Sequence, residues 1–301
     1  MYPLFVIDEP RKQKRSGEPA PQTPVAVIET ELVAADLILI NSSGGKDSQT
    51  ALEEIVDTAQ RLRIPKHRLV VVHADLGVVE WPGTRELARE QARHYGLHFE
   101  VVKYKNAKGE HHDLLEHILE RGMWPDSQNR YCTSAFKRGP VQTLMTRYAQ
   151  AADRRYRLKP GQRKYRIVNC LGMRAEESPA RSLLPNWTLN ESASNGLREV
   201  FNWLPIFDLT KEVVWSRIGA SGVRHHWAYD LGMPRLSCCF CIFSPKAALV
   251  LAGRHNRELL LRYVEAERTM KHTFRHGFSL AEVLAAVDAD HRPGLIPDWE
   301  M

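Results

Sequence analysis

The sequence predicts an α/β protein, a doubly wound and mostly parallel sheet followed by a mostly helical C-terminal subdomain. Three observations carry this. Unbroken apolar runs at Leu37-Ile38-Leu39-Ile40 and Leu69-Val70-Val71-Val72 read as strands covered on both faces. Each is followed by a short turn and then a run of helical period, the alternation that builds parallel sheets through right-handed crossovers. The final third loses that alternation, carrying helical runs and a cysteine cluster. Shifts in composition divide the chain into a basic, proline-rich arm over 1–30, an α/β domain over 31–215 and a helical subdomain over 216–301.

Bulk properties narrow the class. With 301 residues, 43% hydrophobic and 26% charged, the chain can bury a full α/β core and an appended subdomain. A formal charge of +6 permits an acidic partner without demanding one. No apolar run approaches the ~18 residues of a membrane span, and the N-terminus lacks a basic segment leading into an apolar one. No membrane partner and a cytoplasmic address are expected, which makes Asn186-Trp187-Thr188 a chance sequon. The chain has five cysteines, three of them within 238–241, which argues against a secreted disulfide framework.

In chain order, Arg11-Lys12-Gln13-Lys14-Arg15 with Pro19, Pro21 and Pro24 reads as a flexible arm, either solvated or in contact with nucleic acid. A short helix is expected from Glu29 to Ala35. The first strand then runs into Asn41-Ser42-Ser43-Gly44-Gly45-Lys46-Asp47-Ser48, and a helix continues through Ala51, Leu52, Ile55, Val56 and Ala59. Strand, glycine loop and helix N-terminus together make an anion site, because unpaired N–H groups and the helix dipole face the loop. Lys46 adds a cation, and Ser43 and Ser48 add hydroxyls. A phosphate or pyrophosphate is the implied ligand; a solvated glycine turn is the alternative. The loop lacks the spacing of a Walker loop and of Gly-x-Gly-x-x-Gly.

The second strand ends in Ala74-Asp75-Leu76-Gly77, which places Asp75 and Gly77 beside the first loop at the carboxyl edge of the sheet. A helix from Thr84 to Tyr95 and a third strand, Phe99-Glu100-Val101-Val102, follow. His111 and His112 precede a short helix but cannot share one of its faces, so they do not read as a metal pair. A helix is expected from Phe136 to Ala151. Seven basic residues between 154 and 166, with Tyr156 and Tyr165 among them, read as either a polyanion contact or a solvated surface. Ile167 to Leu171 is a buried strand leading to Gly172-Met173-Arg174 and Ser178-Pro179-Ala180-Arg181, whose arginines suit an anion's oxygens. Residues 186–198 read as a surface excursion. Thr210 caps the next helix, and Ser279 with Glu282 forms a capping box for the last one.

Cys238 and Cys241 have Cys-x-x-Cys spacing with Cys239 between them, which fits a metal half-site, a dithiol or a buried structural pair. Cys132 lies in a loop expected near the same edge of the sheet. Cys132, Cys238 and Cys241 as thiolates would leave one corner of an iron–sulfur cluster open, whereas Cys239 would close it; zinc can use the same ligands. Cys170 reads as core.

Taken in order, these segments resemble the phosphoadenosine-phosphosulfate reductase family of the adenine-nucleotide α-hydrolase superfamily. The carriers are Ser43–Ser48, Asp75-Leu76-Gly77, Arg130-Tyr131-Cys132-Thr133 with Lys137 and Pro140, Gly172-x-Arg174 with Ser178 and Arg181, and Tyr229-x-x-Gly232-x-x-Arg235-x-x-Cys238-x-x-Cys241. The chain lacks the Glu-Cys-Gly-Leu-His tail of the dedicated reductases. A single cysteine before Thr133 with a distal Cys-x-x-Cys is closer to the DNA-phosphorothioation sulfurtransferases of that family. That resemblance implies ATP and Mg²⁺ on residues Ser43–Ser48, Asp75, Gly77, Gly172, Arg174 and Ser178. It further implies catalytic roles for Lys46, Asp47, Asp75, Arg174, Arg181 and Cys132, and a 4Fe-4S cluster or zinc on Cys132, Cys238, Cys241 and Cys239. The implied partners are a nucleic acid, DNA rather than tRNA, and a sulfur donor such as a cysteine desulfurase, within a homo-oligomer or a modification complex. The alternatives are a reductase forming sulfite from adenylylsulfate or phosphoadenosine phosphosulfate, a tRNA thiolation enzyme, and a nucleotide-binding protein without turnover.

Overall fold

The structure, a computed structural model, describes residues 18–156, 163–290 and 296–298. The Arg11–Arg15 part of the expected arm, and residues 157–162 of the basic stretch, lie outside the described residues. Within them the first helix begins earlier than its sequence suggests, as α1, Val25–Ala34.

Six strands form one sheet in the order β3-β2-β1-β4-β6-β5. The central strands β1 (Leu37–Asn41), β2 (Leu69–Asp75) and β4 (Tyr165–Cys170) pair in parallel, as do β3 (His98–Lys103) with β2 and β6 (Arg198–Trp203) with β4. Every residue of β1 is buried, which accounts for its unalternating apolar run. Its Ile38 and Ile40 pack against α2 (Lys46–Arg61), whose Leu52, Ile55 and Val56 share the same core. Leu37 and Leu39 face Val141, Leu144 and Met145 of α6 (Gly139–Tyr156) on the other side. The sheet is therefore covered on both faces, as a doubly wound fold requires.

The surface excursion expected over 186–198 is instead a short edge strand, β5 (Trp187–Leu189), which turns back antiparallel onto β6. β6 is an inner strand carrying buried Arg198 and Asn202. Their polar groups are matched locally: Arg198 Nε donates to the Ala193 carbonyl at 2.6 Å, and Asn41, Asn169 and Asn202 form a carboxamide ladder across β1, β4 and β6, each step 2.8 Å. Buried polar groups persist only where such partners exist.

The remaining helices are α3 (Thr84–His94), α4 (Leu114–Arg121), α5 (Tyr131–Thr133), α7 (Pro179–Ser182), α8 (Lys211–Ser221), α9 (Lys246–His255), α10 (Arg257–Met270) and α11 (Leu280–Asp288). α5 runs through a π-helical turn, Ser134–Arg138, into α6. Asp113, not a histidine, defines the start of α4, in a capping box with Glu116. The Thr210 cap and the Ser279–Glu282 capping box both form. α9, α10 and α11 are the helical C-terminal subdomain, and their core is continuous with Trp81, Leu115, Trp124 and Phe136 of the α/β region.

Candidate active site

After β1 the chain turns through Gly44, at φ 70°, where Thr84 would lie 3.1 Å from an added Cβ. Gly45 precedes the helix without a side-chain cap, so the first N–H groups of α2 are satisfied from elsewhere or left for a ligand. Lys46 N–H donates to the Tyr229 hydroxyl at 2.9 Å. Ser48 Oγ accepts from Ser43 N–H at 3.2 Å and donates to the Gly45 carbonyl at 2.9 Å, which closes the loop on itself.

The loop's charges are braced from behind. Buried Lys46 donates to the Pro234 carbonyl at 3.2 Å and lies 3.2 Å from the Asp47 carboxylate. Asp47 accepts from Arg174 Nε at 2.7 Å. Burial pushes the Asp47 carboxyl up, but Lys46 and Arg174 outweigh it and hold the group below the usual carboxylate range. Arg174 also binds Glu176 at 2.7 Å and the Leu209 carbonyl at 3.3 Å. Its Nε and Nη1 are thus taken up by protein, and it acts as a strut for the loop. Gly172 comes closer still: a Cβ there would sit 2.7 Å from the Asp47 carbonyl oxygen and 2.9 Å from Ser48 N.

Glu177 forms a second hub. Its carboxylate, only 4% exposed, pairs with both Arg181 and Arg235 and accepts from Arg174 N–H at 3.0 Å. This ties the loop after β4 to the segment 229–238. Ser178 caps α7, its Oγ accepting from Arg181 N–H at 3.3 Å.

These residues enclose one cavity. Ser43, Gly45, Lys46, Asp47, Ser48 and Gly172 form its loop side, facing Lys137, Glu177, Arg181, Arg235 and Cys238. Of the expected site residues, Gly44, Arg174 and Ser178 support the wall without lining it. Asp75 and Gly77 are turned elsewhere, Leu76 taking the wall position between them. Asp75 accepts from Gly77 N–H at 2.8 Å and pairs with Lys103 at 3.0 Å and Arg85 at 3.2 Å. Gly77, at φ 78°, is glycine because Asp113 Cβ would lie 2.2 Å from any Cβ.

The cavity wall also contains Glu80, which the sequence reading did not single out. It binds Nε2 of buried His73 at 3.1 Å, whose Nδ1 meets the Ser42 carbonyl at 2.9 Å. Burial opposes charge on His73, yet the Glu80 hydrogen bond and charge and the Ser42 carbonyl raise its pKa. Glu177 and Glu80 were missed because nothing in their local spacing marks them. Tyr229, Arg235 and Lys137 do stand in the spaced motifs, although no role was assigned to them.

The structure brings Cys132, Cys238 and Cys241 into one electrostatic neighbourhood with Lys137. Burial pushes the Cys238 thiol well above its usual range and raises Cys241, Lys137 working against both. Cys239 is different: it is fully buried in the apolar core, its N–H donating to the Val79 carbonyl at 2.9 Å. Cys170 is core, as expected. All five thiols are free. Among the described residues no group of three or more His, Cys, Asp or Glu side chains is arranged to hold a single metal ion. In the described part of the basic stretch, Arg163 pairs with Asp36, and Arg166 with Glu31 at 2.6 Å and Glu199 at 3.3 Å. No helix among the described residues is long and apolar enough to cross a membrane.

Comparison with known proteins gives the family. An uncharacterized 37.8 kDa protein in the gpa 5'region of Escherichia phage 186 is 27% identical over 167 residues, 55% of this chain and 46% of that protein, so the match spans about half of that relative's length. Among solved structures, the phosphoadenylyl-sulfate reductase from Candida auris in a phosphate complex aligns at TM-score 0.43 and 18% identity, covering 71% of this chain and 86% of that one. The U34-tRNA thiolase from Methanococcus maripaludis with its 4Fe-4S cluster aligns at TM-score 0.40 and 10% identity, covering 88% and 78%. The family profile of the phosphoadenosine phosphosulfate reductase domain matches residues 38–243, spanning the loop, the cavity and the cysteines. The chain belongs to the phosphoadenosine phosphosulfate reductase domain family.

Proposed function

We propose that this protein is a sulfonucleotide reductase, taking adenylylsulfate or phosphoadenosine phosphosulfate and releasing sulfite. One observation carries the reading: the Cys238 thiol stands on the wall of the same cavity as the glycine loop, with Lys137 and Arg181 beside it. The N–H groups at the start of α2 hold the nucleotide phosphate, and the sulfonate lies toward Lys137 and Cys238. Cys238 Sγ passes its proton to water in the cavity, with Lys137 favouring the thiolate, and attacks the sulfonate sulfur. The sulfur–oxygen bond to phosphate breaks and the nucleotide leaves with that oxygen, its new charge met by Lys137 and the loop. Cys241 or Cys132 then attacks Cys238 Sγ, forming a disulfide and expelling sulfite, so two thiols supply the two electrons. An external dithiol restores the pair. None of these steps uses a metal.

The glycine loop also suits the pyrophosphate of ATP, which favours a second reading. There an oxygen of the nucleic acid, a backbone phosphate in DNA or a base oxygen in tRNA, would attack ATP held on the loop with Mg²⁺ and become its AMP ester with release of pyrophosphate, and sulfur would arrive from a donor such as a cysteine desulfurase. One experiment separates the two. Reduced protein is given adenylylsulfate, phosphoadenosine phosphosulfate or ATP with DNA, and sulfite, nucleotide monophosphate and pyrophosphate are measured. Sulfite formation that is lost in Cys238→Ser supports reduction. Pyrophosphate release stimulated by DNA, without sulfite, refutes it.

A further inference from the structure

Behind the cavity wall lie buried side-chain donors with nothing to donate to: Nε and Nη1 of Arg130 and Nε of Arg181. Arg130 is stacked on Phe243, its guanidinium carbon 4.7 Å from the ring centre. That ring is held in place, because Arg275 Nη1 donates to the carbonyls on either side of it, Ile242 at 3.3 Å and Ser244 at 3.0 Å. The electrostatic neighbours of Arg130 are Cys132, Cys241 and Arg181, with no carboxylate among them. Glu177 holds Arg181 through Nη1, leaving Nε bare. Buried donors without an acceptor destabilise the fold, and two guanidinium groups that share this condition point to an absent anion.

We propose that Arg130, with Nε of Arg181, forms a second anion subsite behind the nucleotide cavity, taking a sulfur oxyanion of the sulfite class beside Cys132 and Cys241. The inference rests on the reductase reading and adds to it a place for the oxyanion separate from the nucleotide phosphates. Arg181 lines the cavity and Arg130 does not, so Arg181 is the shared edge between the two sites. A planar guanidinium fork matches two oxygens of such an anion, and the neighbouring thiols are the groups that exchange sulfur with it.

The test is calorimetric titration of the reduced full chain with sodium sulfite, sodium sulfate or inorganic phosphate, with and without saturating AMP. One sulfite per chain is expected, bound also in the presence of AMP. Arg130→Met should weaken it at least tenfold, with Arg130→Lys, which keeps the charge but not the fork, between them. Sulfate and phosphate should bind more weakly. No sulfite binding, equal binding in Arg130→Met and Arg130→Lys, or one-for-one displacement by AMP would each overturn the proposal. So would equal affinity for all three anions, which marks an adventitious ion only, or iron with acid-labile sulfide copurifying anaerobically at these thiols. Failure of the reductase reading alone looks different: sulfite still binds at Arg130, but adenylylsulfate releases no AMP.

Discussion

Replacing Glu177 by Gln should reveal how much of the cavity is held by one carboxylate. Glu177 is 4% exposed and pairs with Arg181, 3% exposed, and Arg235, 7% exposed. The substitution keeps shape but leaves two buried guanidinium groups sharing a neutral amide, so the local charge of the trio rises from +1 to +2. Breaking a buried pair by neutralising one partner costs roughly 3–5 kcal/mol. Unfolding entropy of ~2.1 cal/mol/K per residue gives ~0.6 kcal/mol/K for a chain of this length, so Tm should fall by about 5–8 °C. A second effect has the opposite sign. With their internal counter-ion gone, the arginines attract a ligand anion more strongly, so millimolar phosphate or AMP should raise Tm more in the variant than in the parent. Differential scanning fluorimetry with and without phosphate measures both. A Tm drop below about 1 °C, or an anion response no larger than the parent's, refutes the view that Glu177 neutralises this pair.

Three further outcomes follow from the same geometry. Gly172→Ala places a Cβ 2.7 Å from the Asp47 carbonyl oxygen, a backbone atom that cannot yield without moving the loop. Overpacking of this kind costs about 1–3 kcal/mol, so AMP affinity by calorimetry should fall roughly 5- to 150-fold; parental affinity would show that the loop tolerates displacement. Tyr229→Phe removes the acceptor for Lys46 N–H, 2.9 Å away, and should lower unfolding free energy in denaturant titration by about 1–3 kcal/mol, whereas no change would show that water replaces the phenol. The raised pKa of His73 means its contribution to stability is fully present below its ordinary 6.5 and is lost as pH rises through the folded value. Glu80→Gln should therefore flatten the decline in Tm as pH rises above about 6.5; an unchanged decline removes this pair from the account.

What was legible in the chain depended on whether physics acts locally. The runs at 37–40 and 69–72 show themselves because strands buried on both faces need no polar alternation. The glycine loop shows itself because tight turns and close approaches tolerate few residue types. β6 was hidden for the converse reason. Arg198 and Asn202 look like surface residues, and it takes Thr146 and Asn169, distant in sequence, with the nearby Ala193 carbonyl, to make their burial tolerable. The same distinction holds at the site. Cys238 and the loop are marked by spacing, whereas the turning away of Asp75 depends on Lys103 and Arg85, which no local pattern ties to it. Arg174 looks like a ligand clamp in sequence, yet Asp47, Glu176 and the Leu209 carbonyl already engage its Nε and Nη1.

The carboxamide ladder of Asn41, Asn169 and Asn202 acts as a vernier on the sheet. In register Asn169 stands opposite Leu39 on β1 and Asn202 on β6, and its carboxamide reaches diagonally to Asn41; sliding β4 along β1 would part that contact and leave buried amides unpaired. That alignment determines how far the tips after β1 and β4 project. Gly172 grazes the start of α2 with no room to spare because both tips follow directly from strands that these amides tie together. Fine tolerance at the phosphate loop is thus inherited from the middle of the sheet, and an exchange of Asn169 for an apolar residue would be felt first as a loosening of that distant edge.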